Sequence, residues 1–395
     1  MLTILLGLSA VYAVLGGGVG LLYPNAWTKM DFNLFYEVGN LAWQGINPYT
    51  DAGSGAFAYP PAWIALCALL SSLPWWLSVT LWKSFNLLFL AGSVWVSARL
   101  FGLHLTDPRT KLLLSFSCLL WPTLTVLKEG QTSLFILFFA LGSIWLSRQG
   151  KPIAAGATLC LALMKPQLAA PLLILFAWRR QFSTVVWALV FFSSLSFVGL
   201  WLSNASLSSY VGASFAYAVE TTTNEADNPH NVGIQNVSAI LLGLSSGDAR
   251  LVGLVAGVMF LIYLFVRDRR NLGLNKTADL IPLILLSGVA FFGARSYDLV
   301  FVIPFFAWLV SHANDSVSAR VGVVCCVALV VPLRAVMVLY RTFLSSFIPA
   351  AYVVLAPFRS YVLFILLVSG LMLYLKRPVQ RILPSGNRLQ IAELK

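Results

Sequence analysis

The chain alternates long apolar runs with short polar links, and the runs show none of the two-faced patterning of water-soluble helices. Apolar stretches at about 2–23, 78–100, 112–127, 131–147, 183–203, 251–266, 279–293, 298–311, 321–339 and 360–375 predict membrane-crossing helices. Several fall short of the roughly 20 residues a straight crossing takes, which implies tilt or local thinning of the bilayer. The stretch 153–178 is also apolar but is interrupted by Lys165-Pro166, with Lys151 before it and Arg179-Arg180 after it. Basic flanks at both ends favour one membrane side for both, so this stretch predicts a broken-helix hairpin with its apex at Lys165-Pro166-Gln167. The pattern as a whole predicts an all-α polytopic membrane protein, one integral domain over 1–395, with about 12 crossings including the hairpin.

The segment 59–75 decides the topology. Its apolar part, 62–73, would rise only about 18 Å as a helix. Counted as a crossing, it sends Arg99, Arg109 and Lys111 to the wrong side. Counted as a re-entrant segment, it leaves every basic loop (99–111, 148–151, 179–180, 267–276, 320 and 376–395) on one side, as the positive-inside rule requires. The expected arrangement therefore has both termini in the cytoplasm of a cell (inner) membrane. Loops 24–58, 128–131, 204–250, 294–297 and 340–358 then lie on the outer face. The opening run reads as a retained signal-anchor helix.

Composition agrees with lipid as the main solvent: 59% of residues are apolar and 10% charged, and the mean hydropathy is +0.84. The formal net charge of +12 is largely the signature of the inner loops, so no nucleic-acid partner is implied. The five cysteines sit in apolar runs and show neither ligand spacing nor a disulfide framework.

Some charges fall at outer ends or within spans, where they are costly: Asp31, Glu37, Lys83, Lys128, Glu129, Lys165, Arg295, Asp298, Arg334 and Arg341. Ionisable groups at such depth line wet cavities or pair with one another. Individually each has a bland role, such as Lys83 or Arg341 snorkelling to headgroups, or Arg295 pairing with Asp298. As a group they predict an outward-facing polar cavity, basic on balance and suited to an anionic headgroup. In the first outer loop, Asp31 opens a short amphipathic helix with Phe32, Phe35, Tyr36 and Val38 on its apolar side. Asp31 reads either as a plain N-cap or as a carboxylate held at the water–lipid boundary, able to take a proton from a hydroxyl.

Asp31 with its aromatic helix, Gly45-Ile46-Asn47-Pro48-Tyr49, and Tyr59-Pro60-Pro61 leading into an apolar segment together resemble the first outer loop of glycosyltransferase family 87. Lys128-Glu129-Gly130-Gln131-Thr132-Ser133-Leu134 is similar to that family's Gly-Gln-x-x-x-Leu, and Gly156 to Pro166 to its glycine-rich span closing in Lys-Pro. Arg295-Ser296-Tyr297-Asp298 stands where the family usually carries a histidine-containing motif; no histidine is present there, and His230 is the one outer-loop histidine that could substitute. The resemblance implies a GT-C-type fold and transfer of a hexose, by the family's default mannose, from a polyprenyl-phosphate sugar donor. A glycolipid or glycan acceptor would receive it on the outer face, with inversion.

The resemblance also implies Asp31 as catalytic base. For the donor phosphate, Lys165 and Arg295 are expected first, then Lys83 and Arg341. Tyr36, Glu37, Tyr59, Gln131 and Asp298 are the expected substrate contacts. Glu37 lies six residues after Asp31 and faces elsewhere on an ideal helix, so it stands in reserve. A metal or other cofactor is not implied: there is no Asp-x-Asp, and a monophosphate between basic groups needs less neutralisation than a nucleotide diphosphate. The apolar outer segments 236–244 and 343–357 are expected to cover the site or hold the isoprenoid tail. The rival class is a secondary transporter or lipid flippase, which also uses broken helices with a midplane lysine. Such proteins usually show an internal repeat between halves, and none is visible here.

Overall fold

A computed structural model describes residues 31–51, 57–224, 231–233, 238, 243–269, 279–292, 294–330 and 358–376. The expected first span, 2–23, Arg341, His230 and the segment 343–357 lie outside the described residues. The described residues are all-α apart from one two-residue ladder.

Helix α1 (Asp31–Trp43) opens the described chain, followed by the single turn α2 (Pro48–Asp51) and by α3 (Pro61–Ser71). Phe32, Phe35, Val38 and Ala42 line the buried side of α1, while Asn33, Glu37 and Trp43 are exposed, as the amphipathic pattern predicts. The inner side lies against α3 at van der Waals distance: a Cβ on Gly39 would fall 2.1 Å from the Cys67 carbonyl oxygen. Two hydrogen bonds tie the pair, Trp43 Nε1 donating to the Ala68 carbonyl at 2.8 Å and Tyr36 Oη to the Leu73 carbonyl at 2.9 Å.

Proline at the first position starts α3, where its missing N–H costs nothing. Eleven residues rise only about 16 Å, roughly half the hydrocarbon thickness. That length agrees with a segment that does not cross. Its other side meets α10 (Phe182–Leu202), where a Cβ on Gly199 would lie 2.1 Å from the Pro61 carbonyl oxygen.

Among the described residues, four helices are long and apolar enough to cross a membrane: α4 (Trp75–Leu100), α10, α12 (Ser246–Asp268) and α16 (Phe358–Leu375). A fifth crossing results if α5 (Pro108–Leu119) and α6 (Trp121–Glu129) count as one span bent by 52°. Pro122, at the start of α6, cannot extend the hydrogen-bond ladder of α5, which accounts for the bend. The remaining apolar helices are shorter: α7 (Ser133–Arg148), α8 (Pro152–Ala162), α9 (Pro166–Trp178), α13 (Leu280–Phe291), α14 (Val302–His312) and α15 (Val317–Ala328). Length and composition thus support four or five crossings among the described residues; the dozen read from the apolar runs also counts 2–23 and part of 321–339, which lie outside them. The expected hairpin at 153–178 is present as α8 and α9, broken at Lys165-Pro166 because proline again begins the second helix.

Helix α13 is buried on every side. It stands at the centre of the bundle, packed by α9, α12, α14 and α16. After it come strand β2 (Ala294–Arg295) and a 3-10 turn, Ser296–Phe301. Strand β2 pairs antiparallel with β1 (Asn231–Val232), which follows α11 (Leu207–Asn224). Far from these links, helix ends carrying the basic loops are tied to one another. Arg179 pairs with Asp268, and Arg267 donates to the Leu375 carbonyl at 3.3 Å and lies over the Tyr374 ring.

Candidate active site

Three links distant in sequence converge: the start of α1, the turn between α6 and α7, and the segment after α13. The turn closes on Gly130, whose φ of +68° is the left-handed conformation that ends a helix. A Cβ there would sit 2.8 Å from Phe32 Cβ, so the residue beside Asp31 rests directly on this turn. Trp82 of α4 fixes the turn from the other side, its Nε1 donating to the Gly130 carbonyl at 2.7 Å. Behind them, Phe35, Tyr59, Trp63, Trp82 and Phe135 form a continuous aromatic wedge with neighbouring centroids 5.1–6.1 Å apart. Rings packed edge to face, tilted or stacked at these distances hold α1, α3, α4 and α7 in one frame.

Asp298 is the hub. Its carboxylate is fully buried and accepts three hydrogen bonds. Lys165 Nζ and Ser133 Oγ each donate to Oδ1 at 2.5 Å, and the Arg295 N–H donates to Oδ2 at 3.0 Å. Lys165, 5% exposed, sits at the break between α8 and α9 with its ammonium also 4.7 Å from the centre of the Tyr297 ring. One carboxylate therefore joins the hairpin apex, the start of α7 and the post-α13 segment. A buried charge needs such a partner set to be tolerated at all.

Asp31 differs from Asp298 in kind. It is only partly buried, and burial raises its carboxyl above the usual carboxylate range, against the opposing pull of the Lys165 and Arg295 charges; the Asp298 charge adds to the rise. These three groups are thus close enough to act on Asp31 electrostatically. The four charges, two carboxylates and two cations, cancel. Asp298 is an internal counter-ion at this centre, which the sequence pattern could not identify as such.

The other expected residues divide. Gln131 is buried beside the hub with Oε1 unpartnered, next to Thr132, whose Oγ1 is likewise unpartnered. Tyr59 belongs to the aromatic wedge, and its carbonyl accepts from Tyr49 Oη at 3.0 Å. Tyr36 spends its hydroxyl on Leu73, and Glu37 is exposed on the far side of α1. Lys83 is buried on α4 but is not among the charges that act on Asp31. Sequence reasoning missed Ser133, which anchors Asp298, and Arg359, buried at the start of α16. The signal for Arg359 was a lone arginine at the end of an apolar run remote from the basic loops. Among the described residues, no group of three or more His, Cys, Asp or Glu side chains converges.

The model of one protein family, described as glycosyltransferase family 87, matches residues 57–293. The matched stretch runs from Phe57, just before Tyr59, to just past the end of α13 and contains Gln131, Ser133 and Lys165; Asp31, Arg295 and Asp298 flank it. No curated protein matches the chain.

Proposed function

We propose that this chain, which belongs to glycosyltransferase family 87, transfers mannose from a polyprenyl-phosphate mannose to an acceptor hydroxyl on a glycolipid or glycan. The reaction takes place at the outer face of the cell membrane, with both termini on the cytoplasmic side. A multi-pass membrane glycosyltransferase is the family's character; the donor, the sugar, the stereochemistry and the side are our reading.

One arrangement carries it: the partly buried Asp31 opens a helix seated through Phe32 on the Gly130 turn, and that turn leads into Ser133, which with Lys165 holds the Asp298 carboxylate. In the proposed step Asp31, ionised, takes the proton of the acceptor hydroxyl as its oxygen attacks the anomeric carbon. The bond from that carbon to the phosphate oxygen breaks, and the oxygen leaves with the electron pair. A single displacement inverts the anomeric centre. The leaving group is a phosphate monoester and needs positive charge more than a proton, which Lys165 and Arg295 are placed to supply. Asp298, saturated by three donors, cannot also serve as base; it positions the lysine. The unpartnered oxygens of Gln131 and Thr132 can accept from sugar hydroxyls.

The test is to incubate the purified protein in nanodiscs with polyprenyl-phosphate mannose, glucose and galactose. Release of polyprenyl phosphate, measured with and without a mannoside acceptor, identifies donor and sugar. Consumption of none of the three by folded protein overturns the reading, and movement of intact donor between leaflets would favour a flippase.

A further inference from the structure

Arg359 is the second residue of α16, 5% exposed, and its Nε has no hydrogen-bond partner. None of the ion pairs among the described residues includes it. A snorkelling arginine carries its guanidinium out to water and headgroups; this one is enclosed. A charge enclosed without a counter-ion is expensive, and arginine does not escape the cost by losing its proton. Its position is tied to the site by a short chain of contacts. The neighbouring Ser360 Oγ accepts from the Gly233 N–H at 3.3 Å, Gly233 follows β1, and β1 pairs with β2 in the register Asn231 opposite Arg295.

The charges at the hub supply the motive. Asp31 and Asp298 cancel Lys165 and Arg295, so the hub alone offers no net positive charge to an arriving anion. A sugar-linked lipid phosphate is a diester with one negative charge. When the bond to the sugar breaks, the phosphate keeps the oxygen and its electron pair and becomes a monoester with up to two. Asp31 takes up the acceptor's proton in the same step, so the hub gains one positive charge as the phosphate gains one negative. One further positive charge is wanted before and after, and it must come from outside the hub. We propose that Arg359 is a lipid-phosphate-binding residue, its planar fork taking two oxygens of the phosphate at the rim of the site. The inference deepens the glycosyltransferase reading and rests on it for the identity of the lipid; a bilayer phospholipid headgroup is the other source of the same chemistry.

The experiment measures farnesyl phosphate binding by the full chain in nanodiscs, comparing wild type with Arg359→Gln and Arg359→Lys. One set of discs is purely phosphatidylcholine and the other contains phosphatidylglycerol. Loss of about tenfold or more in affinity for Arg359→Gln in neutral discs, in line with a charged hydrogen bond, assigns the donor phosphate. Arg359→Lys, which keeps the charge and loses the fork, recovers part of it and serves alone if the glutamine variant does not fold. Equal farnesyl phosphate affinity, with a phosphatidylglycerol-dependent rise in thermal midpoint seen only in wild type, assigns the headgroup instead. No difference in either arm overturns the proposal. Wild-type protein that binds no farnesyl phosphate counts against the donor reading above, while the phosphatidylglycerol arm still decides the arginine.

Discussion

Lys165 and Asp298 stand 133 residues apart in the chain and 2.5 Å apart in space, and their pairing closes the broken hairpin onto the segment after α13. Both are enclosed, so neither charge can fall back on water. Removing one partner strands the other's charge, whereas replacing both leaves no stranded charge, only the Ser133 hydroxyl and the Arg295 N–H without their acceptor. Asp298→Asn should therefore destabilise the protein by about 3–5 kcal/mol and abolish transfer. The double variant Lys165→Met/Asp298→Leu should regain part of the stability and none of the activity. Thermal midpoints in detergent together with donor turnover check both halves; an active double variant would remove the pair from the mechanism.

Asp31→Asn keeps the shape of the side chain and deletes the proton acceptor. Transfer should drop by at least about a hundredfold, the usual share of a positioned base. Donor binding should persist, because the phosphate contacts lie on other elements. Turnover at the wild-type rate would move the base elsewhere.

A base works only when ionised, and burial raises the Asp31 carboxyl. The acid limb of kcat/KM should therefore lie above the roughly 3.9 of a free aspartate, with activity rising as pH rises through it. Arg295 pulls the same group down. Arg295→Gln should shift the limb to still higher pH. A limb at or below the free value, or one that moves down in that variant, contradicts the assignment.

Gly130→Ala tests the seat of α1. The left-handed backbone costs an alanine about 1–2 kcal/mol, and the new methyl would press on Phe32 Cβ. Stability should fall by that order, and transfer should fall further, since Phe32 carries Asp31. Full activity in a folded Gly130→Ala protein would show that this contact does not set the base.

Sidedness is open to cysteine labelling in a background lacking the five native thiols. Gly53→Cys and His230→Cys should react with a membrane-impermeant reagent from outside, and Leu105→Cys and Gly273→Cys only from inside. Outside labelling at 105 would make α3 a full crossing.

Much of this was legible in order along the chain. Apolar runs wider than any soluble helix face declared the bilayer. The interruption at Lys165-Pro166 announced two half-helices, because proline cannot continue the ladder and a lysine at that depth needs a reason. The amphipathic run after Asp31 gave α1 and its buried side. Those are local properties, set by the side chains and backbone of one stretch. Tertiary structure decided which charges meet. It made Asp298 the counter-ion of Lys165, directed the Tyr36 hydroxyl to a carbonyl, and enclosed Arg359. Electrostatic pairing depends on distance through space, which spacing along a chain does not encode, so the sequence could name the charges but only the packed helices could match them.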